Sequence, residues 1–133
     1  MFLVKEEPSN YSFAAFQQDG KTTWTGVKNP LAQRHLRSIR KGDLVFYYHT
    51  GDERAIVGIA KAATDAYPDP ADHTGRAHVV DLIPVKALSQ PVTLAAIKAD
   101  KRFADFALVR MSRLSVMPVT ADQWKWILTM ASD

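Results

Sequence analysis

Apolar and polar residues follow one another in short bursts along this chain, and the period of the bursts keeps changing. Met1 to Lys5 is a brief apolar run that reads as a strand, and Glu6-Glu7-Pro8-Ser9-Asn10 ends it because proline cannot continue a ladder. Phe13 and Phe16, three apart behind a capping Ser12, predict a short helix that stops at Asp19-Gly20. Trp24 to Asn29 reads as a loop, and Asn29-Pro30 as the turn that opens a second helix. On that helix Leu31, Ala32, Leu36 and Ile39 fall on one side, with His35 among them as a packing or hydrogen-bonded residue. Arg34, Arg37, Arg40 and Lys41 fall on the other.

After Gly42-Asp43 the period changes to two. Leu44, Phe46 and Tyr48 share one face and Val45, Tyr47 and His49 the other, both largely apolar, as in a central strand or a barrel wall. Thr50 to Glu53 is a hairpin turn, and Ala55 to Thr64 returns as a strand with a bend or close contact at Gly58. Asp65 to Gly75 is loop. His78 to Ala87 is a strand with an irregularity at Pro84, and Thr93 caps a helix through Leu94 and Ile97. A last strand runs through Leu114 to Met117, and Thr120 with Gln123 forms a capping box before a helix that turns Trp124, Ile127 and Leu128 inward. Trp126 points the other way and marks a candidate contact surface. Five or six strands with three or four short helices between them, without alternating βαβ units, predict an α+β fold built as a small mixed barrel.

With 133 residues the chain is read as one domain, 1–133, large enough to bury a core without staples. It contains no cysteine, which excludes disulfides and thiol catalysis and suits a cytoplasmic location. No apolar run reaches the length of a membrane span, and Phe2-Leu3-Val4 begins without a basic leader, so no membrane partner is expected. Net charge is only +3, so its placement matters more than its size. Between Lys28 and Lys41 there are five cations and no acid, a stripe that suits a polyanion.

The candidate chemistry lies beside that stripe. Trp24, in a glycine-containing loop, is either a ring that stacks on a nucleobase or a core tryptophan. Gly26 and Val27 continue the loop, and Gly26 permits close approach of a ligand to the backbone. Tyr48 and His49 end a strand beside a turn, where side chains line a barrel mouth. His49 either reads a base or holds a loop by a structural hydrogen bond. Asn29 either meets a base edge or caps the Pro30 helix. Glu7 either accepts from an exocyclic amine or pairs with Lys5 or Lys28. The phosphate-contacting set is Lys5, Lys28, Arg34, Arg37, Arg40 and Lys41, which add affinity without reading sequence. The mechanism expected is capture of an everted base.

Catalysis is not expected. There is no HExxH, no Gly-x-Ser-x-Gly and no phosphate loop. His73 and His78 with Asp72 and Asp81 have no recognised metal-ligand spacing, so neither metal nor cofactor is expected.

In order along the chain, Lys5-Glu6-Glu7-Pro8, Trp24-Thr25-Gly26-Val27-Lys28-Asn29, Gly42 to His49, Val57 to Ala60, Ala66-Tyr67-Pro68-Asp69, Pro91 to Leu94 and Arg113 to Val119 resemble the EVE family. That family belongs to the PUA-like superfamily, related in fold to ASCH, PUA and YTH domains. The resemblance implies a PUA-like pseudobarrel with a pocket for a single, modified base of the methylated-cytosine kind, with Ser115 and Val116 supplying backbone groups at its floor. DNA is favoured over RNA, and a monomer over an oligomer. RNA, a free nucleoside or another small molecule is the alternative ligand. The chain departs from the family pattern at Glu6, where serine is usual, at Lys28, where arginine is usual, at Leu31 to Arg34, and at Arg76-Ala77, where Arg-Trp is usual.

Overall fold

The computed structural model describes residues 1–133. Its framework is one curled mixed sheet. The strands are β1 (Phe2–Glu6), β2 (Thr22–Trp24), β3 (Leu44–His49), β4 (Ala55–Ala62), β5 (Tyr67–Pro68), β6 (His78–Thr93) and β7 (Val116–Pro118). They are ordered β2-β6-β4-β3-β1-β7, with the two-residue β5 paired to β6. β1 and β3 run parallel, and the other pairs are antiparallel.

Six short helices decorate the sheet: α1 (Pro8–Tyr11), α2 (Phe13–Asp19), α3 (Pro30–Arg37), α4 (Leu94–Ala99), α5 (Ala107–Arg110) and α6 (Ala121–Met130), with a 3-10 turn at Lys101–Phe103. The expected strand and helix counts were each slightly low, because α1, α5 and β5 are too short to carry a period. None of the helices is long and apolar enough to cross a membrane.

The helix starts follow local chemistry. Ser12, Asn29, Thr93 and Thr120 each accept from a main-chain N–H of the first turn, and Thr120 with Gln123 completes a reciprocal capping box. Gly20 ends α2 in the left-handed conformation at φ 74°.

The core is continuous from Leu3 and Val4 of β1 through β3 to Trp124 and Ile127 of α6. Phe46 stacks on Trp124 with centroids 3.7 Å apart. On the opposite face of β3, Tyr47 is the hub of a ring cluster that takes in Phe13, Phe16, Trp24 and His49. Burial pushes the Tyr47 hydroxyl well above the ordinary tyrosine range, and that hydroxyl donates to the Tyr11 carbonyl. Pairing of β3 with β4 shifts register between Tyr47 and Tyr48, and pairing of β4 with β6 shifts between Ile56 and Gly58. Gly58 lies under Phe13: a Cβ there would clash with the Phe13 ring. Pro84 sits at a second register shift in β6, where a missing N–H breaks no ladder.

Trp126 is not the free surface ring the sequence suggested. It is half-buried, edge-on to Phe103, with the Arg102 guanidinium 5.0 Å from its centroid.

Candidate nucleic-acid interface

Trp24 is the last residue of β2, paired with Val80 of β6, and not a loop residue. Strand geometry turns its ring inward, where it is 5% exposed and meets Tyr47 edge-on. The ring therefore offers no open face to a base, and its role here is to anchor the loop that follows. Tyr48 and His49 are also buried. The His49 Nε2 accepts from the Phe13 N–H at 3.0 Å, which places the ring proton on Nδ1, 2.7 Å from the Glu53 carboxylate. Both nitrogens are thus committed to holding α2 and the β3–β4 turn. Val116 is fully buried in β7, and the Ser115 carbonyl accepts from the Lys5 N–H.

The loop after Trp24 does form a site. Gly26, Val27 and Lys28 make one wall of a cavity of about 630 Å³, α3 contributes Pro30, Gln33 and Arg37, and residues between Asp69 and Val79 close the other side. Gly26 holds φ 76°, a backbone state that favours glycine. Asn29 caps α3, accepting from the N–H groups of Leu31 and Ala32, so its carbonyl is turned to the helix.

Gln33 is the residue that sequence reasoning missed. It is 6% exposed. Its Nε2 donates to the carbonyls of Val27 (2.7 Å) and His78 (3.2 Å), and its Oε1 accepts from the His78 N–H (2.9 Å). One amide thereby ties the Gly26–Lys28 wall to β6 and fills the angle between them. Its partners are main-chain groups, which carry no sequence signature.

The far wall is held by Asp72. Its carboxylate accepts from the N–H of Ala77, from the N–H and hydroxyl of Thr74, and from the Arg76 N–H. Those donors push its pKa down to about 2. Asp69 has one oxygen on the Ala71 N–H, and its other oxygen makes no hydrogen bond within the protein. Lys28, Arg37 and Arg76 line the cavity, and none of them forms an ion pair.

Two smaller depressions carry further cations. Beyond the ridge at Asn29 and Leu31 lies a groove of about 340 Å³ whose other wall is Arg110 to Leu114. Ser112 is shared with a third depression of about 230 Å³, lined by Lys5, Tyr48, Gly51, Arg54 and Lys98. No carboxylate lines either one. The Lys5 ammonium donates to the Ser112 carbonyl at 3.0 Å and sits 5.6 Å from the Tyr48 ring centroid, and burial lowers its pKa. Glu7 lies at the edge of this third depression, against Thr50 and Gly51, and pairs with neither Lys5 nor Lys28.

The cationic surface is thus broader than the α3 stripe and partly different from it. Arg34 and Lys41 are exposed. Arg40 folds back so that its Nη1 donates to the carbonyls of Arg37 and Ile39 at the end of α3, which makes it a helix-end residue. Arg54, Arg76, Lys98, Arg110 and Arg113 join the track from parts of the chain far from α3 in sequence. Nowhere do three His, Asp or Glu side chains converge as metal ligands would. Asp81, one of the acids weighed for such a role, binds Thr23, Tyr67 and Lys21 instead.

Comparison with known proteins fits this architecture. A Rhodopseudomonas palustris protein of known structure is 47% identical and superposes with a TM-score of 0.94, covering 98% of this chain and 92% of that one. The human THYN1 protein, solved in complex with 5-methylcytosine-containing DNA, superposes with a TM-score of 0.89 over 99% of this chain and 97% of that one. At 23% identity that likeness is one of fold, and it is the PUA-like fold expected from the sequence. Thymocyte nuclear protein 1 of Danio rerio is 28% identical over 133 residues, 83% of this chain, and this chain spans 58% of that protein's length. The EVE domain family model matches residues 1–130, and the chain belongs to the EVE domain family.

Proposed function

We propose that this chain is a non-catalytic nucleic-acid-binding domain that captures an everted, modified base in the cavity between the Gly26–Lys28 loop and the Asp69–Val79 segment. The observation that carries the reading is one cavity large enough for a base, lined by the unpaired Lys28, Arg37 and Arg76, with further cations in neighbouring depressions. A cavity of this volume is ample for one nucleotide. Its lining lacks an aromatic sandwich, so the stacking surfaces are the guanidinium planes of Arg37 and Arg76 and the His78 ring. The free oxygen of Asp69 accepts from an exocyclic amine, which favours cytosine- or adenine-type bases. Lys28, the guanidinium edges of Arg37 and Arg76, and the cations through Arg113 and Lys5 meet the phosphates.

DNA bearing a methylated cytosine is the first ligand to try, because a protein of the same fold has been solved with 5-methylcytosine-containing DNA. Two of the candidate proton carriers are already engaged, which supports a binding role: His49 has both nitrogens bonded, and Asp72 is saturated with donors. Neither is free to move a proton.

The test is an amide NMR titration of the labelled protein with a short duplex carrying one 5-methylcytosine and with its unmodified twin. The reading expects shifts at Gly26 to Lys28 and Asp69 to Val79, larger for the modified duplex. Shifts confined to α6 and the outer edge of β6, or none with either duplex, would overturn it.

A further inference from the structure

Met111 is 43% exposed, and only Val85 among the large apolar side chains is more so. It gains nothing from the core, yet the loop that carries it is firmly held. The Met111 N–H donates to Ala107, its carbonyl accepts from Leu114, and the next residue's carbonyl accepts from the Lys5 ammonium at 3.0 Å. Leu108 and Leu114 on either side are buried. An apolar side chain is thus presented to solvent on a fixed tip between two exposed arginines, Arg110 and Arg113. Arg110 meets the exposed Asp105 at 3.2 Å, and Arg113 has no acidic partner.

Position gives this tip a use. Met111 faces the groove whose opposite wall is Asn29 and Leu31, while the neighbouring Lys28 and Pro30 line the base-sized cavity. Cavity and tip therefore stand on the two sides of one short ridge. When a base swings out of a duplex, it leaves a gap in the stack that an inserted apolar side chain can fill, and flanking cations can hold the strand at the kink.

We propose that Met111 is the wedge that enters the base stack as the everted base enters the cavity, with Arg110 and Arg113 gripping the adjacent phosphates. This inference rests on the base-capture reading above and adds duplex DNA as the substrate class that needs the wedge. A single strand has no gap to fill.

The test compares wild type, Met111→Ala and Met111→Phe on a duplex with one central 5-methylcytosine and on the same modified strand alone, by fluorescence anisotropy at fixed salt. Met111 lies outside the core, so both variants keep the fold, which an amide spectrum checks. Met111→Ala is expected to weaken duplex binding about tenfold (about 1.4 kcal/mol) and to leave single-strand binding unchanged, and Met111→Phe to restore the duplex affinity. Equal duplex affinity for wild type and Met111→Ala, or an equal loss on duplex and single strand, would overturn the wedge while leaving base capture standing. Failure of the wild type to bind either oligonucleotide would overturn base capture, and the wedge with it.

Discussion

Replacing Gln33 with leucine should loosen the cavity without unfolding the protein. Leucine keeps the volume and removes all three hydrogen bonds that join Val27 to His78. A net contribution of about 1 kcal/mol per bond gives about 3 kcal/mol, and half-buried His78 groups that recruit water lower this to about 2 kcal/mol. A domain of this kind holds roughly 5–15 kcal/mol in reserve, so the variant folds. With a urea slope of about 1.5 kcal/mol per M, the unfolding midpoint should fall by roughly 1.3 M.

Gln33→Glu sharpens the test. The carboxylate can still accept from the His78 N–H, but it faces the two carbonyl oxygens that the amide nitrogen used to serve. Burial and those oxygens raise its folded pKa above its unfolded value of about 4.3. The penalty is therefore fully present above the folded pKa and is relieved as pH falls through it, because the protonated acid donates to Val27 again. The stability gap between wild type and Gln33→Glu should narrow from about pH 8 to about pH 4. An unchanged midpoint for Gln33→Leu, or a gap for Gln33→Glu that does not move with pH, would refute the assignment of Gln33 as the tie between the two walls.

Other substitutions probe the frame around the site. Gly58→Ala drives a methyl into the Phe13 ring and should cost about 3 kcal/mol, seen as a melting temperature roughly 10 °C lower. Phe13→Leu in the same chain should recover part of that loss, and simple additivity of the two changes would deny the contact. Trp124→Ala removes the ring stacked on Phe46 and should cost about 3–5 kcal/mol. Trp126→Ala, which loses mainly Phe103 and Arg102 contacts near the surface, should cost closer to about 1 kcal/mol in the same denaturation assay. Asp72 holds its loop only while ionised, and its folded pKa is depressed to about 2 from 3.8. Its hold is complete above the unfolded value and fades as pH falls through about 2, so amide exchange at Thr74 and Ala77 should accelerate only in strong acid. Asp72→Asn should show that acceleration already at neutral pH.

The fold was legible wherever the cause was local. A capping side chain serves N–H groups two or three residues on, so Ser12, Asn29, Thr93 and Thr120 announced their helices. The two apolar faces of β3 announced a strand with neighbours on both edges, and β1 and β4 supply them. Gly58 was read as a bend or a close contact, and the contact is real, though nothing in the sequence named Phe13 as its partner.

The site was less legible because its causes are distant in sequence. β2 is three residues long and exists only by pairing with Leu82 to Val80, so Trp24 read as a loop residue instead of a buried one. The cluster around Tyr47 absorbed the rings that a base pocket seemed to need. Gln33 sits between Ala32 and Arg34 with no mark of its importance, since both its partners are main chain. The cations beyond α3 come from distant parts of the chain, so that Arg54, Arg76, Lys98 and Arg113 reach the depressions only in the folded sheet.

Nucleic-acid binding in this cavity requires its cations to meet phosphate. The most direct measurement is the slope of log affinity against log salt for a 5-methylcytosine duplex, taken for wild type, Lys28→Gln, Arg37→Gln and Arg76→Gln. Each lost phosphate contact should reduce the slope by about 0.9 and weaken binding at low salt. Slopes and affinities equal to wild type in all three variants would contradict the claim that this cavity is where nucleic acid binds.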